Sequence, residues 1–158
     1  MNKIEKERKF VLKALPDMGP PLKRIVIRQF YKDGWRYRVE QVEHPELTEP
    51  MYEKLRKVKL GDGYNQELDI ESIGFSEFYE TRKSIPHNEV REIRKTRYVW
   101  VYRGKKFEVD LFTIIPLIIL EVEDVDLFEE IDFPPEIERV LLVEVTGNKN
   151  FDNYNLST

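Results

Sequence analysis

Residues 4–10 read IEKERKF, and Glu5, Glu7 and Lys9 fall two apart, the spacing that puts side chains on one face of a β-strand. Charged doublets recur at that spacing in segment after segment. Arg36 and Arg38 stand in WRYRVE, Lys57 and Lys59 in KVK, and Lys95 and Arg97 in RKTRY. Glu108 and Asp110 stand in FEVDLF, Glu121 and Glu123 in LEVED, and Glu144 with Thr146 in VEVTG. Side chains two residues apart on a strand stand roughly 6–7 Å apart. Two carboxylates so placed repel unless a cation lies between them, and two bases likewise call for an anion. Carboxylates without thiols or a histidine cluster are the donor set of a hard divalent ion, Mg²⁺ or Mn²⁺. Clustered Lys and Arg suit a polyanion, most simply a chain of phosphates. The two sets together predict a metal-bound polyphosphate group held between an acidic and a basic wall.

The elements that must position these residues are strands. Period-two alternation with β-branched and aromatic residues marks 3–12, 24–31, 35–42, 52–60, 65–71, 91–102, 106–113, 117–125 and 140–146. Helix is expected only over 72–80, in a turn near 135–139 and in the tail from 150. The faces opposite the charges are mostly apolar: Trp35, Tyr37 and Val39; Phe107, Val109 and Leu111; Leu120 and Val122; Val143 and Val145. A single amphipathic strand is what any half-solvated sheet shows. Water-facing strands intersperse signs, however, so repeated same-sign doublets favour an enclosed charged face. The economical arrangement is a closed or nearly closed barrel with its charges turned inward; eight strands are about enough to hold one small ligand. The fold class is therefore mainly β within α+β, antiparallel, with a few peripheral helices.

Composition narrows the alternatives. The chain has 158 residues, 41% hydrophobic and 35% charged, which fits one folded domain over 1–158. A net charge of −4 argues against a nucleic-acid partner. The absence of cysteine excludes disulfides, thiolate catalysis and cysteine-bound metals, and leaves the redox compartment open. His44 and His87 each neighbour a proline, which speaks against a histidine metal cluster or a Ser-His triad. The longest apolar run, LFTIIPLIIL (111–120), is too short to span a bilayer and reads as two buried strand pieces meeting at a turn. With no apolar signal-peptide core at the N-terminus, the expected location is the cytoplasm, with no membrane partner.

The ordered motifs resemble the CYTH superfamily, the triphosphate tunnel metalloenzymes. The likeness runs from Glu5-x-Glu7-x-Lys9 through IRQFY (27–31), WRYRVE, KVK before a Gly-rich turn, IRKTRY (93–98), FEVDLF, LEVED and VEVTGNKNFDNYNLS (143–157). It implies a topologically closed eight-stranded antiparallel tunnel that binds a triphosphate-containing small molecule with one or two Mg²⁺ or Mn²⁺ ions. Carried over by position, the metal group is Glu5, Glu7, Glu108, Asp110, Glu121, Glu123 and Glu144. The substrate-binding group is Lys9, Arg36, Arg38, Lys59 or its face-mate Lys57, Lys95, Arg97 and Tyr31. The catalytic set is Glu5, Glu7, Lys9, Arg36, Arg38, Lys95 and Arg97. Lys6 and Arg8, on the other face of the first strand, are expected to be dispensable.

The chain departs from the family's pattern in places. Phe30 replaces a glycine before Tyr31, YNQELDIE lacks a common arginine, and Asn148 and Phe151 stand where aspartate and tyrosine are common. The leading expectation is metal-dependent hydrolysis of inorganic triphosphate to pyrophosphate and phosphate. Nucleoside or thiamine triphosphatase, class IV-type adenylyl cyclase and a non-catalytic polyphosphate or nucleotide sensor are the alternatives.

Overall fold

The alternating segments fold as strands in the computed structural model, which describes residues 3–158. The strands are β1 (Lys3–Leu12), β2 (Lys23–Lys32), β3 (Trp35–His44), β4 (Met51–Leu55), β5 (Lys57–Gly61), β6 (Tyr64–Glu67), β7 (Glu71–Ile73), β8 (Glu92–Tyr102), β9 (Lys105–Phe112), β10 (Ile118–Glu123) and β11 (Leu141–Glu144). The helices are α1 (Phe75–Lys83), α2 (Pro135–Glu138) and α3 (Asn153–Leu156), with a 3₁₀ turn at Lys149–Phe151. Two hairpins turn on dipeptides with positive φ, Asp33-Gly34 between β2 and β3 and Arg103-Gly104 between β8 and β9. These are two-residue connections whose twist matches the flanking strands. Among the described residues no helix is long and apolar enough to cross a membrane.

The expected closed eight-stranded barrel is corrected by the hydrogen bonds. The strands form one curled, antiparallel half-barrel in the order β5-β6-β1-β10-β9-β8-β2-β3-β4-β7, with β11 added on β1. The ladder is open, ending at β5 and β7. The cause is a break in two of the expected strands: 52–60 divides at Arg56 into β4 and β5, and 65–71 divides into β6 and β7. Strand β4 extends the ladder from β3, whereas β5 pairs with β6, so successive pieces of chain belong to opposite ends of the sheet. Across the break the Leu68 amide donates to the Arg56 carbonyl at 2.7 Å. The helix expected over 72–80 starts at Phe75, because residues 71–73 remain extended and pair with β4.

The apolar cores lie mainly on the face opposite the charges. Helix α1 lays Phe78 against Phe30 and Tyr37, with Tyr52 and Tyr79 around it. Val125, Phe133 and Ile137, from the segment around α2, cover Phe10, Leu12, Trp100, Phe107, Val109, Leu120 and Val122. A third cluster forms at one end of the charged face, where Ile93, Phe112 and Ile119 meet Phe151 and Leu156 of the C-terminal segment. The sheet is thus stabilised from outside and from one end, which leaves its charged face free of packing duty.

Phe78 is fully buried and touches three other rings. Phe78→Ala is expected to lower unfolding free energy by about 3–5 kcal/mol, read by urea denaturation. A loss below about 1 kcal/mol would show that α1 is not needed to cover the sheet.

Candidate functional site

Cross-strand pairing decides which charges meet. Directly opposed residues share a face, so Lys9 opposite Glu121, Glu7 opposite Glu123, Glu121 opposite Glu108, and Arg97 opposite Asp110 put these charges on one side. At the centre, Arg97 grips Asp110 with two bonds, Nε to Oδ1 at 2.7 Å and Nη2 to Oδ2 at 2.9 Å. Lys95 Nζ reaches Asp110 Oδ2 at 2.7 Å, and Arg97 also lies 3.5 Å from Glu108 and 3.7 Å from Glu121. Lys9 Nζ stands 4.0 Å from Glu121 and donates to the Phe151 carbonyl at 3.2 Å. Arg38 donates to Gln29 Oε1 at 2.8 Å and Glu40 at 3.1 Å, while Arg36 donates to Glu53 at 3.1 Å. Arg36 Nε is buried with no hydrogen-bond partner among the described residues. Lys57 Nζ bonds Glu5 Oε2 at 2.7 Å, and Lys59 Nζ bonds the Gly147 carbonyl at 3.1 Å.

Two cavities of about 320 Å³ and 270 Å³ adjoin on this face and share Glu7, Arg36, Leu55, Lys57 and Asn153. The larger is net basic: Lys9, Arg36, Lys57 and Lys59 against Glu7 and Asp152. The smaller is net acidic: Glu5, Glu7, Glu53, Glu67, Glu108, Glu121 and Glu123 against Arg36, Arg38, Lys57 and Arg97. Tyr31 lines the larger cavity, meets Tyr154 edge to face at 5.2 Å, and accepts a hydrogen bond from Gln29 at 2.8 Å.

The electrostatics follow from crowding and burial. The nearby Glu121 carboxylate, and then burial, push Glu7 up to about 8. Burial likewise lifts Glu108 to about 8, aided by its hydrogen bond with Glu123 and opposed by Arg97. Burial would raise Asp110 and Glu121 too, but Arg97, with Lys95 at Asp110 and Lys9 at Glu121, holds both below their ordinary values. Burial lowers Lys95 to about 8, and burial with the neighbouring Arg38 lowers Arg36 to about 10. Burial also works against the Arg97 charge, yet Asp110 holds that guanidinium well above its ordinary value.

The structure gathers Glu5, Glu7, Lys9, Arg36, Arg38, Lys57, Arg97, Glu108, Glu121 and Glu123 along the cavities, with Lys59 and Tyr31 at the basic one. Lys95 and Asp110 lie buried behind Arg97. Glu144 is not brought to them. It sits opposite Phe10, on the other face of β1, where Arg8 holds both its oxygens at 2.9 and 2.8 Å. Arg8 also donates to the Glu129 carbonyl at 2.5 Å, so it ties β11 and the 125–130 segment to β1. Gln29 and Glu53 were not singled out by the sequence motifs, although Gln29 is the uncharged polar residue inside IRQFY. Its full burial between Tyr31 and Arg38 is a property of the assembled sheet.

Among the described residues no three acidic or histidine side chains already converge as a finished ligand set. The donor chemistry nevertheless fits a hard divalent ion. Glu7, Glu108, Glu121 and Glu123 offer only oxygen, and the Glu121 repulsion that raises Glu7, like the burial that raises Glu108, is what a bound cation offsets.

A carboxyl whose pKa is raised on folding stabilises the native state below its unfolded value and loses that contribution as pH rises through the folded value. Without divalent ions, stability is therefore expected to fall between about pH 5 and about pH 8. Glu7→Gln should flatten that slope in urea unfolding across the window. An unaltered slope would show that Glu7 is ionised throughout.

No protein-family model matches the chain, and no curated protein matches it. Solved structures do. The crystal structure of the hypothetical protein NE1496 superposes with a TM-score of 0.61 at 24% identity, over 97% of each chain. A second structure of NE1496, described as an inorganic triphosphatase, gives 0.58 at 24% identity over 97% of this chain and 93% of that one. The PH1819 protein from Pyrococcus horikoshii OT3 gives 0.51 at 14% identity over 77% and 78%. At these identities the likeness is one of fold: the chain shares the fold of these structures, one of which is of an inorganic triphosphatase.

Proposed function

We propose that this protein hydrolyses inorganic triphosphate to pyrophosphate and phosphate with Mg²⁺ or Mn²⁺. The observation that carries this reading is the pair of adjoining cavities of opposite charge, joined at Glu7, Arg36 and Lys57. A phosphate chain across that junction has its oxygens among Lys9, Arg36, Lys57 and Lys59. Its reacting end faces Arg38, Arg97 and the carboxylates. Arg36 lines both cavities, and its guanidinium brings positive charge to their junction for an anionic oxygen. Asp110 does not face substrate in this scheme; it fixes the guanidinium plane of Arg97 and the ammonium of Lys95. Glu7, Glu108, Glu121 and Glu123 would hold a divalent ion, which would supply charge neutralisation at phosphate oxygens and a more acidic water. Positioned positive charge is where phosphoryl transfer gains most of its rate. The fold shared with an inorganic triphosphatase structure supports the reading.

The Tyr31–Tyr154 pair at the larger cavity favours one second reading, an organic triphosphate such as a nucleoside or thiamine triphosphate. A phosphate-release panel over triphosphate, ATP, GTP and thiamine triphosphate with Mg²⁺ or Mn²⁺ separates the two, and cyclic AMP plus pyrophosphate from ATP would identify a cyclase instead. Arg38→Ala is expected to cut kcat/KM about 100-fold or more. Glu7→Gln should raise the metal concentration needed for half-maximal rate. Full activity in both variants would overturn the proposal.

A further inference from the structure

The two cavities share a side chain that no charge pattern marks. Asn153, the first residue of α3, lines both. Its Oδ1 accepts a hydrogen bond from Lys95 Nζ at 3.3 Å. That ammonium is otherwise ion-paired to Asp110 at 2.7 Å and stands 5.5 Å over the Phe112 ring. Two residues earlier, the Phe151 carbonyl accepts from Lys9 at 3.2 Å. One short segment therefore supplies acceptors to lysines on two different strands, β8 and β1.

The segment is anchored on both sides of Asn153. Phe151 and Leu156 pack into the cluster of Ile93, Phe112 and Ile119. Thr158 exchanges backbone hydrogen bonds with Glu92 at 3.1 and 3.2 Å, which fixes the far end to the start of β8. The Leu156 amide donates to the Asp152 carbonyl at 3.0 Å, so the backbone around Asn153 is held as a helical turn.

An ammonium carries donors only, so the atom of Asn153 that meets Lys95 must be the amide oxygen. That assignment leaves Nδ2, with two N–H donors, on a side chain that lines both cavities, and no hydrogen bond from it to an acceptor is found among the described residues. Its complement is a group that only accepts, which describes an ionised phosphoryl oxygen. We infer that Asn153 is a substrate-binding residue that donates from Nδ2 to a phosphate oxygen at the junction, while its Oδ1 positions the Lys95 ammonium. The inference rests on the polyphosphate reading of the site and adds to it a neutral contact from the C-terminal segment.

Two variants test it, with triphosphate as the probe. Asn153→Asp keeps an acceptor for Lys95 but removes the donor; Asn153→Ala removes both without adding charge. Both are expected to raise KM for triphosphate, and its calorimetric Kd, by roughly tenfold or more, the effect of losing one hydrogen bond to a charged group. The melting temperature of Asn153→Asp should stay at the wild-type value. An unchanged KM and Kd in Asn153→Ala, whether or not its melting temperature falls, would overturn the inference, because the residue would then be structural or act only through introduced charge. Wild-type protein that binds triphosphate without hydrolysing it would overturn the hydrolase reading while leaving the Kd comparison decisive here. Wild-type protein that does not bind triphosphate would overturn both.

Discussion

Burial of the Asp110 carboxylate between Arg97 and Lys95 is the interaction on which the arrangement depends. Lys95 and Asp110 are withdrawn from water and Arg97 keeps only its cavity edge, and an unpaired charge in such a place costs several kcal/mol. The pairing is possible only in one register, with Arg97 opposite Asp110 and Glu108 opposite Glu121. A slip of one residue would turn the charges of a strand to the apolar side and its Phe107, Val109, Leu120 or Val122 to the charged side. The same pairing aims the remaining guanidinium donors of Arg97 toward Glu108 and Glu121. Structural and functional charges are thus parts of one network.

The network is tolerable because hydrophobic stabilisation is placed elsewhere. Most small barrels fill their interior with side chains. Here the main apolar clusters lie behind the sheet, under α1 and under the segment around α2. The third cluster closes one end of the charged face with Phe151 and Leu156. Between these layers the charged face keeps space for a ligand, and its charges are sorted. Bases gather around the larger cavity and acids around the smaller, with Arg36 and Lys57 common to both. The Glu121 carboxylate and burial raise Glu7, and burial raises Glu108, so a cation or a proton at this end relieves an unfavourable concentration of negative charge.

Much of this was legible in the sequence because strand periodicity is local. Every expected segment contains strand, although 52–60 and 65–71 each divide in two, and the doublets at Glu5/Glu7, Arg36/Arg38, Glu108/Asp110 and Glu121/Glu123 do share one face. Pairing was not legible. Glu144 followed the same period-two logic, yet β11 docks beside β1 with Glu144 opposite Phe10, which delivers it to Arg8 on the other side. Arg8, read as idle, is a tie between β1, β11 and the segment beyond β10 for the same reason. Closure was not legible either: the apolar positions of 52–60 change phase between Leu55 and Val58, but only the competing partners of its two halves, β3 and β6, show that the strand breaks at Arg56.

The sequence by itself determined most of the extended segments, which side chains share a face within an unbroken strand, and that the charged faces carry oxygen donors and bases without sulfur or clustered histidine. Those properties follow from the fixed alternation of side chains along an extended chain and from side-chain chemistry. Only the tertiary structure decided which faces look at one another, which charges are consumed as partners and which remain for a ligand, and where the ladder opens. These depend on cross-strand register and on contacts between residues more than a hundred positions apart, such as Arg8 with Glu144 and Lys9 with Phe151, and no local period encodes them.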